Sequence, residues 1–472
     1  MCGSYKTERG ENMRYYLAID IGASGGRHIL GRMENGKIHC LDVHRFPNGL
    51  TERGGHLCWD ADRLFEEILV GMKKCAALGK IPVSVGIDTW GLDYALLDRD
   101  GKRIGHAVGY RDSRTDGIDR SVYSCVPESE LYARTGIQRM SINTIFQLKA
   151  DDRLEKAEQL LMMPDYLHYL LCGVSRTEYT NATTTGLVNA QAKDWDWDII
   201  DRCGYPRRIF RPIVMPGTTL GGLLPEIADR VGYDCKVVLP ATHDTGSAVA
   251  AVPSTAEDIL YISSGTWSLM GVERTVPECS PESAADNFTN EGGVDYRFRY
   301  LKNIMGLWMI QCVKAELNDI YSFARLCEMA AEARISSIVD CNHSRFLAPE
   351  SMIAELQAAC RERAQPVPTT PGQLAAVIYN SLAECYADTA RVLEARTGKT
   401  YDCIHIVGGG SNAEYLNRLT AEAVGKPVLA GPSEATAIGN LLVQMRTANE
   451  FEELTVGRHI VKNSFEVKEF YP

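Results

Sequence analysis

Apolar residues in this chain recur with two periods, and the switches between them mark its elements. Tyr15–Ile21 is a continuous apolar, β-prone run; Gly22-Ala-Ser-Gly-Gly26 interrupts it and His28–Met33 returns. Asn35-Gly36 is a two-residue hairpin signal leading into a third strand, Ile38–Arg45. The period then lengthens to 3.6. Leu64, Phe65, Ile68, Leu69 and Met72 form one stripe of a helix that opens at Asp60 or Asp62 and stops at Gly79. Val83–Asp88 is a buried strand, followed by Thr89-Trp-Gly-Leu-Asp93 and a continuation, Tyr94–Leu97. Residues 128–200 are richer in helix: Thr144–Glu158 is periodic, Leu160–Leu171 closes at Gly173, and Thr177–Leu187 is Thr-rich and irregular.

A similar opening recurs in the second half. Ile259–Ile262 is a strand, Ser263-Ser-Gly-Thr-Trp267 turns, and Ser268–Glu273 returns. Helices are expected at about 373–397 and 412–424, with Gly398 and Gly425 as stops, and Tyr401–Val407 as the strand between them. Two halves that both begin strand, glycine turn, strand imply a duplicated α/β unit. The pattern breaks near Ala250–Thr255. Residues 1–13 thus read as an N-terminal extension, 14–250 and 251–447 as two domains, and 448–472 as a C-terminal tail without an assigned role.

Composition narrows the possible partners. Of 472 residues 45% are hydrophobic, enough for large cores, and the net charge is −11. That charge argues against nucleic acid or an anionic membrane surface as the main partner. The N-terminus lacks the apolar region of a secretory signal, and no run is long enough to span a bilayer. None of the 15 cysteines lies in a Cys-x-x-Cys pair, so zinc ribbons and redox motifs are not indicated, and a reducing, cytoplasmic compartment fits.

The candidate chemistry lies where strands end. Val237–Leu239 reads as a strand and Gly246–Ala251 as the start of a packed helix, with Thr242-His-Asp-Thr245 between them. A carboxylate there, Asp244, is either a base facing a cleft or an N-cap. Asp20 precedes the first glycine turn. Glycines there allow backbone amides to approach phosphate oxygens, and the acid is of the type that holds Mg²⁺ through waters. Ser264-Gly-Thr266 offers similar chemistry with hydroxyls, and Gly408-Gly-Gly410 is a tight strand–helix turn beside which an adenosine fits. Two other motifs fail. Gly398-Lys-Thr400 has Leu393 where a P-loop needs its first glycine, and Gly22–Gly26 leads into a strand, unlike a dinucleotide-binding turn.

Several long stretches resemble the FGGY carbohydrate kinases, which share a superfamily with actin and hexokinase. They are Gly86-Ile-Asp-Thr-Trp-Gly-Leu-Asp93, Tyr110-Arg-Asp-Ser-Arg-Thr115, Met163-Pro-Asp-Tyr166, Thr177–Gly186, Ser263–Gly271, Asn303–Trp308 and Val407–Gly410. The resemblance spans about 14–446 and is greatest to the branch that phosphorylates L-rhamnulose. It implies an α/β fold of two actin-like, ribonuclease H-like domains, duplicated mixed sheets with flanking helices around an interdomain cleft. It implies ATP as co-substrate, Mg²⁺ as cofactor, and a monomer or small homo-oligomer without nucleic acid or membrane.

Residue by residue, the resemblance makes Asp244 the base and Asp20 the Mg²⁺ holder. Ala23, Ser24, Gly25, Gly26 and Arg27 would line the ATP phosphates, Thr266 and Gln311 would touch the nucleotide, and Gly409 or Gly410 would pack on adenosine. Gly91, His243, Thr245 and Asn303 would face the sugar along with Asp244. Gly25 stands where the family pattern has Ser, removing a hydroxyl but no amide. Other members of the family, acting on L-fuculose, D-xylulose or glycerol, are alternatives, as are a non-catalytic actin-like nucleotide sensor and a hydrolase using His243 and Asp244. Trp90 is either a cleft wall or a sugar platform. Arg111, Asp112 and Arg114 are either a surface ion cluster or near the sugar. Asp88 either assists the metal or caps.

Overall fold

The computed structural model describes residues 13–472, so residues 1–12 of the expected extension lie outside the described residues. Six strands form the first sheet: β1 (Tyr15–Ile21), β2 (Gly25–Glu34), β3 (Lys37–Pro47), β4 (Pro82–Thr89), β5 (Thr219–Gly221) and β6 (Lys236–Val238), in the order β5-β6-β4-β1-β2-β3. β1, β2 and β3 are antiparallel neighbours; β1, β4 and β6 run parallel. Seven strands form the second: β7 (Leu260–Ser264), β8 (Ser268–Arg274), β9 (Thr289–Gly292), β10 (Phe298–Ile304), β11 (Ile404–Val407), β12 (Val428–Ala430) and β13 (Lys468–Phe470), in the order β9-β10-β8-β7-β11-β12-β13. Here too the first hairpin is antiparallel and the next two strands are parallel. The shared core, β3-β2-β1-β4-β6 in one sheet and β10-β8-β7-β11-β12 in the other, is the duplication the two glycine turns announce.

Helices cover both sheets. α1 (Ala61–Ala77) connects β3 to β4 and buries Leu64, Ile68, Leu69 and Met72 against the first sheet, with Phe65 at its margin. Asp60 is its N-cap, accepting from the Arg63 N–H, and Asp62 sits in the first turn, where a carboxylate favours the helix dipole. α2 (Met163–Cys172) follows a short strand, Gln159–Met162, that pairs with Tyr94–Leu97. This corrects the single element expected at Leu160–Leu171. Pro164 is accommodated in the helix's first turn, and the residues before it stay extended. The periodic stretch Thr144–Glu158 also yields only a short α-helix, Thr144–Lys149, and a single 3₁₀ turn, Leu154–Lys156. Between them Asp151 bonds the Arg153 guanidinium and the Tyr94 hydroxyl instead of continuing the turn.

α3 (Asp244–Ala250) and α6 (Ala435–Thr447) lie between the sheets, while α4 (Pro371–Thr397) and α5 (Glu414–Val424) pack on the second. A Cβ on Gly439 of α6 would come within 1.8 Å of the Ser247 carbonyl oxygen of α3, so a glycine is what permits this crossing. α6 also reaches back to the first sheet. Gln444 donates to the Leu17 carbonyl at 3.0 Å and accepts from Ser84 at 2.7 Å, while Asn440 donates to the Gly86 carbonyl at 3.1 Å. The tail is structural. α7 (Leu454–Ser464) buries Arg458, which holds Glu273 at 2.6 Å and the Val249 carbonyl at 2.9 Å, and β13 completes the second sheet.

Candidate active site

The ends of β1, β4 and β6 and the turn of β7–β8 open onto one cavity of about 490 Å³. Its lining includes Asp20, Ala23, Ser24, Gly25, Gly26, Arg27, Gly91, His243, Asp244, Thr245, Thr266, Asn303 and Gly409. Thirteen of the fifteen expected site residues thus come together from positions up to hundreds of residues apart. The other two stand behind the wall. Gln311 accepts from the Thr266 hydroxyl at 3.3 Å. Gly410 packs on Ser264 so closely that a Cβ would meet its Oγ at 1.9 Å. Gly409 has open space where a side chain would be, so it is the glycine of the turn that faces the cavity.

Carboxylates gather at the first-sheet end. Asp20 and Asp88 are register partners on parallel β1 and β4, which places both side chains on one face. Asp20 is gripped by Arg27 across the hairpin at 2.6 and 2.8 Å, and Arg27 in turn holds Glu434 at 2.5 Å. Burial pushes the Asp20 carboxyl up from the ordinary aspartate range, against the lowering pull of Arg27. Asp88 is pushed up further, by burial and then by Asp20. Asn440 donates to one of its oxygens at 2.6 Å, and the other, Oδ1, is buried without a partner.

That orphaned oxygen beside a second carboxylate suits a hydrated divalent cation. Among the described residues no group of three or more His, Cys, Asp or Glu side chains encloses a metal. Mg²⁺ needs no such cage, because it keeps waters and phosphate oxygens in its shell.

Asp244 is the first residue of α3, and His243 is the N-cap residue. The carboxylate therefore stands at N1 rather than at the N-cap, although the N–H it binds is that of N2. Its Oδ1 accepts from the Thr245 N–H at 2.6 Å and the Thr245 hydroxyl at 3.2 Å. The loop before it is held on the sheet by Thr89 N–H donating to the Thr242 carbonyl at 2.9 Å. Glu178, fully buried, holds the same loop. It accepts from the Thr242 N–H at 3.0 Å and hydroxyl at 2.7 Å, and from Thr180, whose hydroxyl receives the His243 N–H.

The remaining wall is aromatic and amide-rich. Trp90 is a cleft wall, with its ring centroid 4.0 Å from that of Trp59. Asp93 fixes both indoles, accepting from Trp59 at 2.6 Å and Trp90 at 3.0 Å. Burial raises its pKa to about 6 even though those N–H donors pull it down. Gly91 approaches Thr184 and His243: a Cβ would sit 3.2 Å and 3.4 Å from them. Asn303 donates to Gln138 at 2.8 Å. Arg111 stacks over Trp308, and Asp112 ties down His56 and the Leu57 N–H. Sequence reasoning passed over Trp59, Glu178, Gln138, Glu291, Arg299 and Glu434. Glu178 lay inside a quoted motif, and the rest had no local signal.

The N-terminal domain of the FGGY family of carbohydrate kinases matches residues 15–251, and its C-terminal domain matches 260–448. The chain is 49% identical over 456 residues to a rhamnulokinase of Oceanobacillus iheyensis, covering 96% of this chain and 97% of that one. It is 44% identical over 461 residues to a rhamnulokinase of Bacillus subtilis, covering 97% and 95%. In fold it is similar to a ligand-bound xylulose kinase from Lactobacillus acidophilus, with a TM-score of 0.79 and 16% identity over 97% of this chain and 94% of that one.

Proposed function

This chain belongs to the FGGY family of carbohydrate kinases and phosphorylates a sugar at the expense of ATP, and from that premise we propose that its acceptor is L-rhamnulose and its product L-rhamnulose 1-phosphate. The observation that supports the chemistry is the position of Asp244. Asp244 lines the cavity, its Oδ1 is engaged by Thr245, and among the described residues its Oδ2 has no hydrogen bond. The same cavity is lined by Asp20 and the first glycine turn and by Gly91, His243 and Asn303.

Transfer to an alcohol needs an aligned hydroxyl, an acceptor for its proton and neutralised phosphate charge. The sugar is held against Gly91, His243, Thr245 and Asn303, and Asp244 takes the proton as the hydroxyl attacks. The amides of Ala23–Arg27 and the hydroxyl of Thr266 receive the phosphates, and adenosine lies along Gly409. Asp20, with Asp88 behind it, would hold Mg²⁺, which when bound neutralises phosphate charge. The Trp90–Trp59 wall keeps the sugar end free of water that would otherwise consume ATP.

A coupled ADP-release assay over ketoses and polyols tests the acceptor. The expected result is a higher kcat/KM for L-rhamnulose than for L-fuculose, D-xylulose or glycerol. Preference for any of those three would remove this acceptor assignment and leave the kinase in place.

A further inference from the structure

Arg299 is a fully buried arginine on β10. Its ladder partner on β9 is Glu291. Its Nε donates to the Gly292 carbonyl at 2.8 Å, its Nη1 lies 3.1 Å from Glu291 Oε2, and its Nη2 lies 3.0 Å from Nδ1 of His243. His243 belongs to the loop leading into α3, so this contact runs from the second sheet to the neighbour of the proposed base.

A guanidinium does not release its proton in a protein and has only donors. At a hydrogen-bonded 3.0 Å, Arg299 therefore donates and Nδ1 accepts. A ring nitrogen that accepts carries no proton, so the imidazole's N–H is on Nε2. That nitrogen lies 3.4 Å from Asp244 Oδ1 and close to Gly91. Glu291 pulls the other way. Its Oε2 lies 3.3 Å from the same Nδ1 and would draw the ring proton there if Arg299 were absent. Burial pushes the Glu291 carboxyl up, but Arg299, His243 and Asn303 together outweigh it and hold the group below the ordinary glutamate range.

We propose that Arg299 is a positioning residue that locks His243 as the Nε2–H tautomer, making it a hydrogen-bond donor toward the sugar and leaving Asp244 alone to take the proton. The last clause rests on the proposed role of Asp244; the tautomer does not. With the lock removed, the Nε2 lone pair would face the cleft and compete with Asp244 for the hydroxyl proton. The lock also joins the two sheets, so His243 is set correctly only while they stay together.

The test is ¹⁵N-histidine NMR of the full chain, with His243 assigned by comparison with His243→Gln, together with steady-state kinetics. The wild type should show Nε2–H at His243, Arg299→Lys should retain it, and Arg299→Met should shift the proton to Nδ1. Leaving Glu291 buried and unpaired could unfold Arg299→Met. The double variant Arg299→Met/Glu291→Gln removes both charges at similar volume and keeps the test open. In that folded variant the single tautomer should be lost. Its kcat should fall about 10–100-fold, the size of one hydrogen bond to a charged group, with KM for ATP little changed. An Nδ1–H wild type, or a double variant with the wild-type tautomer and kcat, would overturn the proposal. Full turnover in Asp244→Asn with Nε2–H intact would instead defeat the assignment of the base and leave the lock standing.

Discussion

The two sheets repeat one strand order but divide the chemistry between them. At the penultimate position of the first strand, the first half carries Asp20 and the second Ser263. The partners across the parallel ladder are Asp88 in one and Val407 in the other. At its strand ends the first half thus supplies carboxylates, including Asp244, and the second supplies hydroxyls and glycines at Ser263, Ser264, Thr266, Gly408 and Gly409, while its cavity-lining carboxylate, Glu291, is paired with Arg299. Duplication fixes where strand ends meet a cleft. It leaves free what each strand end carries, and here Asp20, Asp88 and Asp244 stand at those of the first half while the glycine turns of the second are neutral. A second acidic turn would add like charge against polyphosphate, an arrangement that costs several kcal/mol in a poorly solvated site.

The sharpest way to break this division is to remove basicity from the charged half alone. Asp244→Asn keeps the shape and should lower kcat by about 10²–10⁴-fold, with ATP affinity by calorimetry near wild type. Near-normal turnover in the folded variant would mean that the proton goes elsewhere.

A paired substitution tests the two equivalent positions directly. Asp20→Ala should lose most turnover, and chelator should abolish wild-type activity until Mg²⁺ is restored. Ser263→Ala should cause a smaller loss, read mainly in KM for ATP. Equal losses at both positions would contradict the asymmetry.

The contact between the halves can be strained without touching either site. Gly439→Ala places a methyl against the Ser247 carbonyl of α3, where backbone cannot yield cheaply. Such overpacking costs about 1–3 kcal/mol, read as a lower Tm. An unchanged Tm would show that α3 and α6 are free to separate.

Acid should expose a milder difference. Burial lowers the His28 and His168 pKa values to about 3 and that of His405 to about 4, from 6.5. Folded, these rings bind fewer protons than unfolded, so their stability is present above pH 6.5 and drains as pH falls toward 3–4. Protonating His168 also removes the acceptor for the Ile87 N–H, 2.9 Å away in the first sheet. Two of the three lie in the first half. Carboxyls of the same half that burial pushes up, Asp93 to about 6 along with Asp20, Asp88, Asp165 and Glu178, act in the opposite sense, because they bind more protons folded than unfolded. The loss of Tm between pH 7 and pH 4 should be smaller in His168→Gln, which cannot take up the proton, than in the wild type; an equal loss would refute this role for the ring.

Much of this was legible in the chain. Strand–turn–strand openings, the Asp60 cap, the Asn35-Gly36 hairpin and the glycine stops depend on backbone geometry within a few residues, which side-chain size and φ preference decide locally. Runs around Asp20, Asp244, Ser264 and Gly408 were enough to name the family and the strand-end and turn residues of the cavity's lining. Local pattern misjudged 144–171, because Asp151 turns aside to Arg153 and Tyr94, and Leu160–Met162 finds a partner strand more than sixty residues earlier. It gave no role to the tail, whose Arg458 acquires meaning only beside Glu273.

What tertiary structure alone decided is which groups face one another. Asp88 has an orphaned oxygen because Asn440, 352 residues away, takes the other. Gly409 rather than Gly410 faces the cavity because Ser264 fills the space beside Gly410. A carboxylate's pKa or an imidazole's tautomer follows from neighbours within about 4 Å, and folding recruits those neighbours from anywhere in the chain.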